Sequence, residues 1–263
     1  MKKWNSYIGW LMLFAILIVS LGFSTKKQGA KVCEQILIKI DYSSGNYFVV
    51  EEDISSMVYH EIDTVLGRPI AAIESERLEH KISNHPSIEK AEVFKRINGD
   101  LVIEVTQRQP IVRLFNYKGE SFYLDVKGNP MPISDQFTSR VLIANGYIFG
   151  SFIDANQMND VEKPSSVRTN KIIQDIFAFA EYIYMDKFWS AQIEQLYVNK
   201  EFDIELIPRV GNHRIVFGDA SLIEEKFNKL KIFYFEGLSK TGWNEYSVIN
   251  LKYANQVVCK KRN

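Results

Sequence analysis

The residues of this chain that could do chemistry fall short, by their spacing, of every catalytic pattern they suggest. His60-Glu61 begins like a His-Glu-x-x-His zinc-protease helix, in which two histidines hold the metal and the glutamate acts as base, but no second histidine follows. The four histidines, His60, His80, His85 and His213, make no ligand motif, and they read as surface residues. Gly150-Ser151 lacks the glycine two positions beyond the serine that a nucleophile elbow needs. Gly146 to Gly150 is not closed by Gly-Lys-Ser/Thr, so it is no phosphate loop. Glu51-Glu52-Asp53 could supply acid and base, yet the three stand at a helix start, where negative charge is favoured by the helix dipole. The expectation is therefore a non-enzyme, with no catalytic residue, no cofactor and no metal.

Basic and acidic residues number 32 each and leave no net charge. That balance argues against a nucleic-acid partner, because phosphate binding needs a net basic face. Cys33 and Cys259 are the only cysteines, too few for a disulfide framework, and they read as free thiols unless an oxidising compartment pairs them. Trp4 to Phe23 is one hydrophobic block of twenty residues. At about 1.5 Å per residue it reaches about 30 Å, the hydrocarbon thickness of a bilayer. A cleaved signal peptide competes with this reading, since Lys2 and Lys3 precede the block and Ser20-Leu21-Gly22 is a tolerable cleavage site. The length of the run and the absence of Ala-x-Ala favour a retained anchor. Lysines flank both ends, so the positive-inside count does not decide orientation, but a tail of a few residues favours export of the rest. The reading is a cytoplasmic tail over 1–6 and a transmembrane anchor over 7–25.

Elements then have to be placed around these residues. Gln35 to Ile40 is strand-like, and Ile54, Met57, Val58, Ile62, Val65 and Leu66 draw one helix face, with Gly67 placed as its C-cap. Ile73, Leu78 and Ile82 mark a second helix entered at Ser75 and stopped before His85-Pro86. Strands at Ala91 to Ile97 and Leu101 to Gln107 flank Asn98-Gly99, a hairpin signal in which both residues tolerate positive φ. Strand, helix, helix, strand, strand makes a compact α+β unit, and Pro110 is read as ending its last strand.

Beyond Pro110, strands are expected at Ile111 to Phe115 and Phe122 to Asp125 around Lys118-Gly119. A helix follows on Ile172, Ile173, Ile176, Phe177, Ala180, Ile183 and Tyr184, then strands at Ile193 to Val198, Phe202 to Ile207 and Arg214 to Phe217. Ser221 with Glu224 reads as a capping box, opening a helix whose buried stripe is Ile223, Phe227, Leu230 and Tyr234. A closing strand is expected over Ile249 to Val258. Along it Leu251, Tyr253, Asn255 and Val257 would share one face.

The run HPSIEKAEVFKRINGDLVIEVTQRQP, His85 to Pro110, with YLDVKGNPMP, Tyr123 to Pro132, and INLKYANQVV, Ile249 to Val258, resembles the bacterial cell-division FtsQ/DivIB family. The resemblance covers nearly the whole chain, although Asn250 and Lys252 stand where the family has aspartate and arginine. It implies a single membrane anchor, a POTRA domain over 33–110 and a mixed FtsQ-like β domain with flanking helices over 111–260. It also implies a divisome scaffold in the plasma (inner) membrane at the septum. Such a scaffold binds the coiled-coil proteins FtsB and FtsL by strand addition, and coordinates the septal peptidoglycan synthase, with FtsK a further partner of the POTRA domain. By the same resemblance Leu251, Tyr253, Asn255 and Val257 contact the partner, with Phe227 and Leu230 of the preceding helix. Because Lys252 replaces arginine, a bidentate contact to a partner carboxylate is not expected. The alternative, a POTRA-bearing polypeptide-transport or outer-membrane assembly component, would need a long series of amphipathic strands that does not follow.

Overall fold

The computed structural model describes residues 10–16, 31–62, 64–152 and 164–262. Of these, residues 10–16 are helical, and among the described residues no helix is long and apolar enough to cross a membrane. The tail expected over 1–6 and most of the anchor expected over 7–25 lie outside the described residues. The chain divides into two compact units after Gln107.

The first unit contains β1 (Ile36–Asp41), α1 (Glu51–Glu61), α2 (Ser75–Ser83), β2 (Ile88–Lys95) and β3 (Leu101–Gln107). β3 is central, parallel to β1 and antiparallel to β2. Ile103 and Val105 on β3, Ala91 and Val93 on β2, Ile54 and Val58 on α1, and Leu78 and Ile82 on α2 are all buried. Glu51, Glu52 and Asp53 occupy the first turn of α1, where they complement its dipole, and Asp53 Oδ2 accepts the Val50 N–H at 3.0 Å.

Two local expectations are corrected here. Helix α1 stops at Glu61 with Ile62 already extended, so Val65 is buried from a loop. Gly67 has φ +78 but caps no helix: its N–H donates to the Cys33 carbonyl at 2.8 Å, while the Cys33 N–H donates to the Arg68 carbonyl at 2.8 Å. The partner that sets this glycine's geometry is thus a distant segment. In the β2–β3 hairpin only Gly99 takes positive φ, and Arg96 N–H bonds Asp100 O at 2.8 Å, giving a turn with a glycine bulge.

A buried glutamine fastens the loop between β1 and α1. Gln107 Oε1 accepts from the Val49 N–H at 3.0 Å, and its Nε2 donates to the Asn46 carbonyl at 2.9 Å. Those groups have no access to water, so the side chain satisfies what the loop cannot satisfy itself.

The second unit contains β4 (Pro110–Phe115), β5 (Ser121–Asp125), β6 (Pro130–Met131), β7 (Leu142–Gly146), α3 (Pro164–Met185) and α4 (Lys187–Gln192). It continues with β8 (Ile193–Val198), β9 (Ile204–Pro208), β10 (Arg214–Gly218) and α5 (Ile223–Ile232). A π-helical turn, Phe233–Leu238, then leads to β11 (Tyr246–Asn250) and β12 (Val258–Lys261). The described strands form a nine-stranded sheet ordered β12-β11-β10-β9-β8-β7-β4-β5-β6. Pairs β4·β7, β7·β8 and β10·β11 are parallel. Pro110 does not end β3 but opens β4, a position where its missing N–H is tolerated. Accordingly Arg108 and Gln109 belong with the second unit. On α3, among the described side chains, the buried residues are Ile172, Ile173, Ile176, Phe179, Ala180 and Ile183; Phe179 is in the core, while Phe177 is half-buried and Tyr184 exposed.

Three hairpins of this sheet close by one device. Asn116, Asp125 and Asn199 each accept, through one side-chain oxygen, the N–H groups two and four residues on. The fourth residue of the first two turns is a left-handed glycine, Gly119 or Gly128, but in the third it is Phe202 at φ +65. Asp125 also holds Arg108 at 2.8 Å.

Replacing Gln107 by leucine should destabilise the first unit by about 1 to 3 kcal/mol, because it strands the Val49 N–H in the interior. Hydrogen exchange at Val49 checks this: protection should fall there, and an unchanged rate would show that the loop is held otherwise.

Candidate partner-binding site

The order of the sheet leaves β12 at its end, with one edge unpaired among the described residues. An unpaired edge presents backbone donors and acceptors that a further strand can complete. The segment beside this edge differs from the sequence reading. Instead of one strand over Ile249 to Val258, β11 stops at Asn250, the chain turns, and β12 returns antiparallel with Ile249 opposite Cys259.

The break has local and distant causes. Asn250 Oδ1 accepts the Lys252 N–H at 2.9 Å, an Asx turn that bends the chain here. Asn255 takes φ +57, a left-handed conformation that asparagine tolerates better than most residues. From α5, Lys229 Nζ donates to the carbonyls of Leu251 at 3.0 Å and Tyr253 at 2.7 Å. An ammonium thus takes up acceptors that a continuing strand would have given to a ladder. Burial, with Lys226 nearby, pushes the Lys229 ammonium below the usual lysine range. Lys252 is engaged by Asp203 at 2.6 Å, and that bond raises its own value.

The structure brings some of the expected residues together and separates others. Leu251 is buried, and its N–H donates to the Val216 carbonyl at 2.9 Å. Tyr253 is 50% exposed on the turn, Asn255 is exposed, and Val257 is half-buried against the core. Tyr253, Asn255 and Val257 therefore share a turn beside the edge, not a strand face. Phe227 and Leu230 are fully buried, so neither is at the surface. The Phe227 ring lies 4.5 Å from Tyr182, 4.8 Å from Phe217 and 4.9 Å from Trp189. Between α5 and the turn runs a groove of about 670 Å³, lined in part by Leu222, Lys226, Lys229, Ile232 and Tyr253.

The entry to α5 is also corrected. Its N-cap is Leu222 at φ +53, and Ser221 bonds the Asp219 carboxylate through both its hydroxyl and its N–H, so no capping box with Glu224 forms. The Ser221 hydroxyl bond holds the Asp219 carboxyl below its ordinary range. Sequence reasoning missed Lys229; the available signal was its placement with Lys226 along α5, which marks a polar flank but names no acceptor.

Elsewhere, the histidines are dispersed. His60 and His80 are exposed and His85 is half-buried, but His213 is buried, contrary to the surface reading. Among the described residues no three His, Cys, Asp or Glu side chains gather as a metal site. Cys33 and Cys259 are free thiols, each with its value raised by burial.

Substituting Lys229 by methionine should release the Leu251 and Tyr253 carbonyls and lower stability by roughly 2 kcal/mol, the size of hydrogen bonds to a charged group. Limited proteolysis should then cut within 251–257 while the rest of the second unit resists; equal resistance to wild type would refute the role of the ammonium.

Two family models match the chain. One described as "FtsQ/DivIB, C-terminal related" matches residues 109–260, more than half of the chain, and one described as "POTRA-like domain" matches residues 31–106. No curated protein matches it.

Proposed function

This chain belongs to the FtsQ/DivIB family of bacterial cell-division proteins, and we propose that it is a membrane-anchored, non-enzymatic divisome scaffold whose second unit binds FtsB-like and FtsL-like coiled-coil partners by strand addition at β12. The observation that carries this reading is the unpaired β12 edge at the end of a nine-stranded sheet. In strand addition, affinity comes from main-chain hydrogen bonds and selectivity from side chains flanking the edge. Here those flanking groups are Tyr253, Asn255 and Val257 on the turn and the exposed Val258 on β12 itself. Leu251, Phe227 and Leu230 act from beneath, by fixing where the turn and the edge stand.

On this reading the N-terminal segment anchors the protein in the plasma membrane with its tail in the cytoplasm. Both folded units stand outside at the septum, where the second coordinates septal peptidoglycan synthesis through its partners. The POTRA-like unit is left for other contacts, FtsK among them.

The test is a pull-down from detergent-solubilised membranes with the tagged full-length chain, comparing wild type with Tyr253→Lys and Lys261→Pro. Arg262 and Lys260 turn their backbone groups toward β11, and Lys261 therefore turns its N–H to the open edge. Proline on an edge strand removes a donor and blocks pairing, so both variants should recover at least about tenfold less FtsB-like and FtsL-like protein. Unchanged circular dichroism and melting would show that the variants remain folded. Failure of wild type to recover either partner would overturn the scaffold reading, and recovery of outer-membrane barrel proteins in their place would support the transport alternative.

A further inference from the structure

The loop from β9 to β10 carries a histidine that strand addition does not use. His213 is 4% exposed. Its Nε2 stands 3.2 Å from the hydroxyl of Tyr234 in the π-helical turn, and the two rings meet edge to face. Tyr234 in turn packs edge to face on Trp243, which precedes β11. Nδ1 is buried without a hydrogen-bond partner. The loop is pressed against the segment before β11 so closely that a Cβ on Gly211 would lie 2.7 Å from Nδ1 and 3.2 Å from the Trp243 carbonyl.

One residue before the histidine, the Asn212 carbonyl accepts from the guanidinium of Arg262, at the end of β12. The Arg262 N–H donates to the Glu245 carbonyl at 2.9 Å. Four segments therefore meet at one imidazole: the β9–β10 loop, the π-helical turn, the linker before β11, and the end of the edge strand.

We propose that His213 is a proton-operated latch: neutral, it lets Arg262 fasten the end of β12 to the β9–β10 loop, and protonated, it loosens that attachment. The groups facing the ring are Tyr234 from the π-helical turn, the Trp243 carbonyl from the linker and Arg262 from the end of β12. Tyr234 stays neutral, because burial pushes its phenol well above the ordinary range. Glu245 is paired with Lys261 at 3.2 Å. An imidazolium here would thus be a buried cation near the exposed guanidinium of Arg262, with Tyr234 and the Trp243 carbonyl as its polar relief among the described residues.

The direction follows from linkage. Burial, reinforced by Arg262 and opposed by the Trp243 carbonyl, lowers the His213 value below its ordinary one. Unfolding, or opening of the latch, therefore takes up a proton. The stabilisation is full above the unfolded histidine value of about 6.5 and is lost as pH falls toward the lowered folded value. One proton limits the effect to about tenfold per pH unit. The latch governs whether the edge is formed, so it stands or falls apart from which partner adds to it.

Hydrogen exchange of the full chain between about pH 8 and about pH 5, corrected for intrinsic rates, tests the latch around the ordinary histidine value. Protection of the β11 and β12 amides should fall by up to about tenfold per pH unit below about 6.5, while β8 holds its protection. The His213 ring resonance should titrate over the same range. In His213→Gln the pH dependence at β12 should vanish with the edge still protected at acid pH. Should that variant not fold, Arg262→Gln serves: without the guanidinium, β12 protection should no longer track the ring titration. An unaltered pH dependence in either folded variant, or equal behaviour of β12 and β8 in wild type, would overturn the proposal.

Discussion

The burial of the Phe227 ring is what the C-terminal part of the sheet depends on. β10 and β11 are parallel, so after Gly218 the chain must leave one end of the sheet and return to the other before it can pair again. Helix α5 and the π-helical turn make that return, and Phe227, Leu230, Tyr234 and Leu238 hold them in the core. Burying a side chain such as Phe227 contributes roughly 1.5 to 3 kcal/mol, against about 1 kcal/mol for an ordinary hydrogen bond. The crossover is therefore held mainly by its apolar face, and the position of β11, of β12 and of the free edge beyond them is inherited from it. The Lys229 contacts to the turn presuppose the same seat.

The repeated hairpin closure shows the opposite balance, in which hydrogen bonds decide. Asn116, Asp125 and Asn199 each satisfy two turn N–H groups, and glycine at the left-handed position costs nothing sterically. Phe202 breaks that economy, since a non-glycine residue there is disfavoured by about 1 to 2 kcal/mol. Its ring packs against the core and stands 6.1 Å from Phe149, so apolar contact offsets the backbone penalty.

Where a residue's signal is local, the sequence was legible. The element order of the first unit, the strand Ile193–Val198 and the glycine turns at Lys118-Gly119 and Gly99 were readable because periodicity and turn chemistry belong to the residues themselves. Gly67, Ser221 and the closing strand misled for a shared reason: another partner, two residues off for Ser221 and far along the chain for the others, claimed a group that the local pattern assigned. Cys33 takes the Gly67 N–H, Asp219 takes the Ser221 hydroxyl, and Lys229 takes the carbonyls of Leu251 and Tyr253. At the candidate site, Tyr253, Asn255 and Val257 were found together, but Phe227 and Leu230 lie in the core, since an amphipathic stripe alone does not distinguish a supporting face from a contacting one.

The parallel pairing of β1 with β3 has a kinetic side. Lys39 and Glu104, bonded across that pair, are separated by 65 positions, whereas β2 and β3 are joined by a tight hairpin. Closing so long a loop exacts more chain entropy than closing a hairpin, and contacts of large sequence separation slow the search for the native state. Until β3 is in place, the first strand of the chain's small sheet has no neighbour to pair with, and Ile36, Ile38 and Ile40 remain an unclaimed apolar stripe. Topology thus makes the earliest strand the last to be secured.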